Sequence, residues 1–405
     1  MNRPEPREAH DRRPGRRPAK IMISAGESSG DTHAAALMAA AWAKGHDWRF
    51  HGLGGERMAA RGARLLGHIN ETAVMGLTEV AGALPRLMAI RARLLRSLEL
   101  DRPDLLALID FPDFNFGLAR RAFDLKIPVV YYICPQVWAW RRGRLKFLAK
   151  YAQRRAVLFA FEKKFYEDHG VGADWVGHPI LDELPERAPR EEMKTRLGFD
   201  PRKKLLALMP GSRLRVVERL APLILEAANL ILRPAEDVEL VLPRADSVSP
   251  EFLERFTAAA PPAVRGRLRV IGGLSREILA AADAAIAASG TSSVEAAILG
   301  LPHVVAYRVS PLSWFLGRLL VSVPYASIAN LTAGREIVPE FLQGRATAEN
   351  IAAAARPLLD GGPVRDRLTA ELAAVSLQLG QPGASGRVVD IIAEELAAVG
   401  RRNAS

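Results

Sequence analysis

From Lys20 onward, short aliphatic runs alternate with longer stretches whose apolar residues recur every three or four positions. IMISA (21–25), RFHGLGG (49–55), DLLALID (104–110), PVVYYI (128–133) and RAVLFAF (155–161) read as buried strands. Between them, THAAALMAAAWAK (32–44), LPRLMAIRARLLRSLEL (84–100) and NFGLARRAFDL (115–125) carry helical periodicity. Strands alternating with helices predict an α/β chain built on parallel sheets. A polar, proline-bearing stretch, DELPERAPREE (182–192), interrupts the pattern. It restarts with KKLLALMPGSR (203–213), VELVLPRAD (238–246), RLRVIGG (267–273), DAAIAAS (283–289) and PHVVAYR (302–308). The expected organisation is two Rossmann-like domains, 20–185 and 190–365. Residues 366–405 form two amphipathic helices around a loop at 381–386, closing the second domain or packing back on the first. Ligands of open α/β sheets bind at the carboxyl ends of the strands, so the site is expected between the two domains.

Composition narrows the partners. With 405 residues, 49% hydrophobic and 25% charged, the chain matches a folded multidomain protein and excludes disordered and fibrous classes. Lys and Arg number 56 against 45 Asp and Glu; the net +11 calls for an anionic partner: nucleic acid, a phosphorylated substrate or an acidic membrane surface. Residues 1–19 hold six Arg and four Pro without an apolar core, which predicts a disordered basic tail and not a secretory signal. Cys134 is the single cysteine, so no internal disulfide or thiolate zinc site is expected, and a reducing, cytoplasmic setting fits. No run of 18 uncharged apolar residues predicts a membrane span, and the histidines lack metal-ligand spacing.

Four strand-following loops carry candidate chemistry. SAGESSGD (24–31) runs into a helix; Ser29 and Gly30 let a ligand approach the helix amides, and Glu27 is placed for substrate hydroxyls. It is neither a GxGxxG fingerprint nor a Walker loop, and a capped strand-to-helix turn is the plain alternative. LIDFPDFNFG (108–117) puts Asp110 after an apolar run, where desolvation raises a carboxylate toward general-base range, with helix capping as its other role. Asn115 is a donor to a sugar or an orienting group for Asp110. LMPGSR (208–213) offers Arg213 as a bidentate phosphate grip beside the Gly211 and Ser212 amides. ASGTSSVE (288–295) repeats the device: Ser289 and Gly290 end a strand, Thr291 opens a helix, and Glu295 is spaced for ribose hydroxyls.

AGESSGD, DFPDFNF, PQVWAWRRGR (135–144), FEKKFY (161–166), VGHP (176–179), MPGSR, ASGTSSVE and NLTAGREIVPEFLQ (330–343) occur in this order. Together they resemble the lipid-A-disaccharide synthases, glycosyltransferases of the GT-B form. The resemblance implies two Rossmann-like domains facing across a cleft, no cofactor and no bound metal. It implies inverting transfer from UDP-2,3-diacylglucosamine to 2,3-diacylglucosamine 1-phosphate, giving a β(1→6) disaccharide phosphate and UDP. Asp110 is then the base, with Glu27 as rival. UDP falls to Gly211, Ser212, Arg213, Ser289, Gly290, Thr291, Glu295, Asn330 and Arg308, with Arg335 nearby. The sequence departs from the pattern at Cys134, where a serine is expected before PQVWAW, and at Ala329, where a proline usually precedes the asparagine; Ser28 and Thr332 are also variable sites.

Acylated substrates call for an apolar surface near a bilayer. Residues 69–96, with Met75 and Val80 among scattered arginines, are expected to provide it, although an ordinary amphipathic helix explains the part after Leu84. Trp138 and Trp140 beside Arg141, Arg142, Arg144 and Lys146 suggest peripheral attachment to an anionic inner-membrane surface. A homodimer is left open. The rival readings are a UDP-sugar epimerase of the same two-domain form and a nucleic-acid binder; 6% aromatic residues and no recognition-module signature disfavour the latter.

Overall fold

The computed structural model describes residues 17–72, 77–139, 143–184, 188–233, 237–310, 314 and 323–404, with main chain alone for 72, 77–83 and 402–404. Met75, Trp140, Arg141, Arg142, most of the basic tail and the side chain of Val80 lie outside this description.

Thirteen strands form two sheets among the described residues. The first contains β1 (Lys20–Ala25), β2 (Arg49–Gly54), β3 (Arg64–His68), β4 (Leu105–Ile109), β5 (Val129–Tyr132), β6 (Arg154–Val157) and β7 (Asp174–Trp175), in the order β3-β2-β1-β4-β5-β6-β7. The second contains β8 (Lys204–Met209), β9 (Val238–Arg244), β10 (Leu268–Gly272), β11 (Ala284–Ala288), β12 (His303–Tyr307) and β13 (Glu340–Leu342), in the order β10-β9-β8-β11-β12-β13. Their registered pairs are parallel, as Ser24 against Leu108 and Ala287 against Met209 illustrate. In both sheets the strand order reverses beside the first strand, between β1 and β4 and between β8 and β11. Connections leave in opposite directions at that point and open a crevice at the strand ends. The loops after these four strands therefore hold the best-placed residues of each sheet.

Burial explains why the continuous runs became strands. All five residues of β4 and of β11 are buried, as helices on both faces of a parallel sheet require. Helix Leu214–Ile231 buries Val217, Leu220, Ala221, Ile224, Ala228 and Ile231, at spacings that form one stripe against Leu206, Leu208, Leu240 and Ile286. Each such leucine or isoleucine stabilises the fold by roughly 1.5–3 kcal/mol. Among its described side chains, helix Leu77–Leu100 is buried at Ile90, Leu94, Ser97 and Leu98, toward its end. Leu84 and Met88, on its earlier turns, are 56% and 53% exposed.

One expected strand is shorter than its apolar run. RAVLFAF is a strand only to Val157, and Ala160–Asp168 is helical. The carboxylate of Glu162 accepts from the Leu158 and Phe159 amides and so starts a helix inside the run.

The chain packs as two compact units: residues 1–135, 146–156 and 385–405, and residues 136–145 with 157–384. The last helix, Ala384–Ala404, thus belongs largely to the first unit, where Asp390 pairs with Lys44 at 2.6 Å and Glu394 with Arg154 at 2.8 Å. Helix Pro363–Gln378 stays with the second.

Candidate functional site

In the first unit, the loops after β1 and β4 are built against each other. Gly26 is required because a side chain there would collide with Phe111: a Cβ would sit 2.1 Å from the ring. Glu27 is the exposed N-cap residue of helix Ser28–Ala43, with no side-chain cap on the helix amides. Ser29 is exposed in the first turn, while Gly30 is buried with Ala25 Cβ 3.2 Å from where its own would be. Asp31 turns away: its carboxylate accepts from the Gly55, Arg57 and Met58 amides and caps the helix Glu56–Ala60.

Asp110 and Phe111 both adopt positive φ, 45° and 51°. Two successive non-glycine residues in the left-handed region cost on the order of 1 kcal/mol or more each and persist only where surrounding contacts hold them. Asp110 is half-buried, and its carboxyl is raised above the ordinary aspartate range by desolvation and then by the Glu27 charge, against the Phe111 amide that lowers it. Asn115 does not face solvent. It is fully buried, accepts from Ser24 Oγ at 2.6 Å and donates to the Asp110 carbonyl at 2.7 Å, so it ties the two loops together and does not offer its amide to a sugar.

In the second unit, β8 is followed by Pro210 and Gly211, and the φ of 102° at Gly211 suits glycine alone. Ser212 and Arg213 are exposed, and Arg213 is the N-cap of Leu214–Ile231 with no side-chain cap on its amides. By contrast, Ser249, Ser327 and Thr347 each accept an amide at the start of their own helices. Beyond β11, Ser289 Oγ donates to the Ala326 carbonyl at 3.0 Å, Gly290 has φ 141°, and Thr291 is exposed at the start of Thr291–Ile298. Uncapped helix amides beside an exposed guanidinium suit a multiply charged anion.

Three residues read from sequence as ligand contacts are turned inward. Asn330 is fully buried and has no capacity left. Its amide donates to the Val338 carbonyl and Glu340 Oε1, and its oxygen accepts from the Ile337 and Val338 amides. Glu295 is 6% exposed and paired with Arg276 at 2.9 Å; burial raises its carboxyl, with Arg276 opposing. Arg276 also holds Glu183 at 2.7 Å, so Glu295 anchors its helix and does not reach toward a ribose. Trp138 is 8% exposed, donates to Glu162 at 2.8 Å and meets Phe161 edge-on, so its ring is packed inside and not laid open on the surface. Arg308 is half-buried, 3.4 Å from the Gln343 carbonyl, and Arg335 pairs with Glu371. Among the described residues no cluster of His, Cys, Asp or Glu could hold a metal, and no helix is long and apolar enough to cross a membrane.

Sequence reasoning missed Glu340. It is buried at the start of β13 and accepts from the Ala326 and Ser327 amides and from Asn330, fixing the segment whose carbonyl receives Ser289. A lone glutamate after a proline carries no spacing signal for such a role.

The lipid-A-disaccharide synthetase family model matches residues 21–379. The chain belongs to the lipid-A-disaccharide synthetase family. It is 38% identical over 380 residues to the lipid-A-disaccharide synthase of Myxococcus xanthus, covering 94% of this chain and 98% of that one. To the synthase of Syntrophus aciditrophicus it is 40% identical over 368 residues, 91% and 95% of the two chains. Two solved structures share its fold: UDP-GlcNAc 2-epimerase of Neisseria meningitidis, bound to UDP-GlcNAc, and MurG of Acinetobacter baumannii. The first has TM-score 0.60 and 13% identity, covering 93% of this chain and 99% of that one. The second has TM-score 0.59 and 16% identity, covering 93% and 100%. Family membership makes the chain a glycosyltransferase of lipid A disaccharide synthesis, and its α/β fold is of the GT-B kind.

Proposed function

We propose that the chain transfers 2,3-diacylglucosamine from its UDP conjugate to the 6-hydroxyl of 2,3-diacylglucosamine 1-phosphate, with Asp110 as general base. The carboxylate takes the hydroxyl proton while the acceptor oxygen attacks the anomeric carbon from the face opposite UDP. The bond to the diphosphate oxygen breaks through an oxocarbenium-like state, and UDP leaves with that electron pair. The amides of Gly211 and Ser212, the Arg213 guanidinium, Ser289, Gly290 and Thr291 stabilise the departing diphosphate; no protein metal ligand enters this scheme. Desolvation, with the Glu27 charge added to it, raises the Asp110 carboxyl and so makes it a stronger base, and the exposed Ser29 belongs to the acceptor side.

The observation that carries this reading is Asp110 itself: a half-buried carboxyl of raised pKa, at the carboxyl end of a central strand where the strand order reverses. Asp110→Asn is expected to lower kcat by ~10³ while UDP binding stays within a factor of about 2, since proton transfer typically contributes 10²–10⁴-fold. Acceptor-dependent UDP release is the assay, and it also separates the transferase from an epimerase, which needs no acceptor. Wild-type turnover in Asp110→Asn removes the assignment.

The substrates' acyl chains also favour peripheral attachment to an anionic membrane. The exposed Leu84 and Met88 beside the exposed Arg86 supply apolar and basic groups on one helix. Co-sedimentation with phosphatidylglycerol vesicles is expected to weaken as salt rises and to fail in Leu84→Glu/Met88→Glu; binding insensitive to both removes this part.

A further inference from the structure

Asp110 is held in an unfavourable backbone conformation, and the contacts that hold it converge on one atom. Its carbonyl receives two buried side-chain donors: Asn115 Nδ2 at 2.7 Å and the Tyr131 hydroxyl at 2.9 Å. Its amide donates to the Tyr132 carbonyl at 3.2 Å. Tyr131 and Tyr132 lie on β5, the strand beside β4, and both are fully buried. Asn115 comes from the helix Pro112–Asp124 and is fastened to Ser24 on β1. Strands on both sides of β4 therefore grip a single peptide group. Left to itself, residue 110 would relax to negative φ and swing its carboxylate elsewhere.

We infer that the Tyr131 hydroxyl is a positioning group for glycosyl transfer, pinning the Asp110 carbonyl so that the carboxylate keeps the direction in which it takes the acceptor proton. This rests on the reading of Asp110 as the base. Three features separate the hydroxyl from ordinary core packing. Val129 and Val130, which precede it on β5, are aliphatic, and packing alone needs no polar tip at position 131. The acceptor it meets is a strand-end carbonyl already bonded by Asn115, so the second donor adds direction more than satisfaction. The Phe116 ring meets the Tyr131 ring edge-on at 6.3 Å, a contact that phenylalanine preserves. Charged groups facing Asp110 are few: Glu27 on the loop after β1 acts on its carboxyl, and Asp113 is exposed on the following helix.

The test is a double-mutant cycle of Tyr131→Phe and Asp110→Asn, read as acceptor-dependent UDP release with melting temperature recorded for each. A misplacement near 1 Å at a catalytic group costs up to about 10²-fold, so Tyr131→Phe is expected to lower kcat by ~10–100-fold with donor KM unchanged. In the Asp110→Asn background the same change should cost less than about twofold, because no carboxylate remains to be aimed. The acid limb of the pH–rate profile should also move in Tyr131→Phe, which lost core stability alone would leave in place. Tyr131→Phe with wild-type kcat, or with the same loss in both backgrounds, overturns the inference while leaving Asp110 as the base. An active Asp110→Asn overturns both.

Discussion

Asn330 donates to Glu340 Oε1 at 2.7 Å, and neither side chain reaches solvent. The pair closes a loop in which every polar valence of the asparagine is used, and its far end fixes the Ala326 carbonyl that receives Ser289. Glu340→Gln replaces an acceptor of three hydrogen bonds with a group that is half donor. It is expected to destabilise the fold by ~1–3 kcal/mol and to raise donor KM, with acceptor KM unchanged. Urea unfolding and substrate titrations check this; an unaltered donor KM would separate the loop from donor binding.

Arg213 stands exposed at the head of a helix without a side-chain cap. Losing a charge-assisted contact to phosphate costs about 1.5–3 kcal/mol, so Arg213→Ala should weaken UDP binding by ~10–100-fold. Calorimetric titration with UDP reads it directly. Arg213→Lys should recover part of the loss, because charge survives and the bidentate fork does not.

Glu27 raises the Asp110 carboxyl by its charge. Glu27→Gln should therefore shift the acid limb of kcat/KM to lower pH while the enzyme keeps turning over. Loss of turnover instead would move the role of base to Glu27 itself.

Glu162 is wholly buried, and desolvation pushes it up to about 7 despite hydrogen bonds from Trp138, Phe159 and Leu158. Below an unfolded value near 4.5 both states hold the proton; between about 4.5 and 7 the native state holds more protons, so stability falls as pH rises through that window. Urea midpoints for wild type should therefore show a downward component from pH 5 to pH 7. Glu162→Gln should lack that component, at an overall cost of ~1–3 kcal/mol because one of the two oxygens that accept from three donors becomes an NH2 group. A pH slope equal to that of wild type would mean the carboxyl is ionised throughout.

How legible was this protein before folding? Strands buried on both faces, such as Leu105–Ile109 and Ala284–Ala288, announce themselves because helices on either side demand uninterrupted apolar runs. Short edge strands do not: Arg64–His68 is half-buried and mixed, and Asp174–Trp175 has only two residues. Asp110 stands out in the sequence because a carboxylate ending an apolar run has few structural uses, and the structure places it half-buried at the end of β4. Asn330, Glu295 and Trp138 all have buried partners that the sequence does not announce, for one common reason. Spacing tells which loop holds a polar group and not which way that group points, and all three serve partners distant in sequence or hidden behind the loop. Tyr131 was invisible for the converse reason, since inside PVVYYI a tyrosine looks like one more hydrophobic residue.

The helix Ala384–Ala404 has a practical consequence for anyone handling the gene. Val388, Val389 and Ile392 are buried, and Asp390 and Glu394 tie it to Lys44 and Arg154 of the first unit. A stop codon placed before it removes those buried residues and both ion pairs from the first unit, and an expression clone ending near residue 185 lacks a piece of that unit encoded at the opposite end of the message. Dissecting this enzyme into halves therefore calls for grafting the final helix onto the front fragment, and cutting at the midpoint will not do.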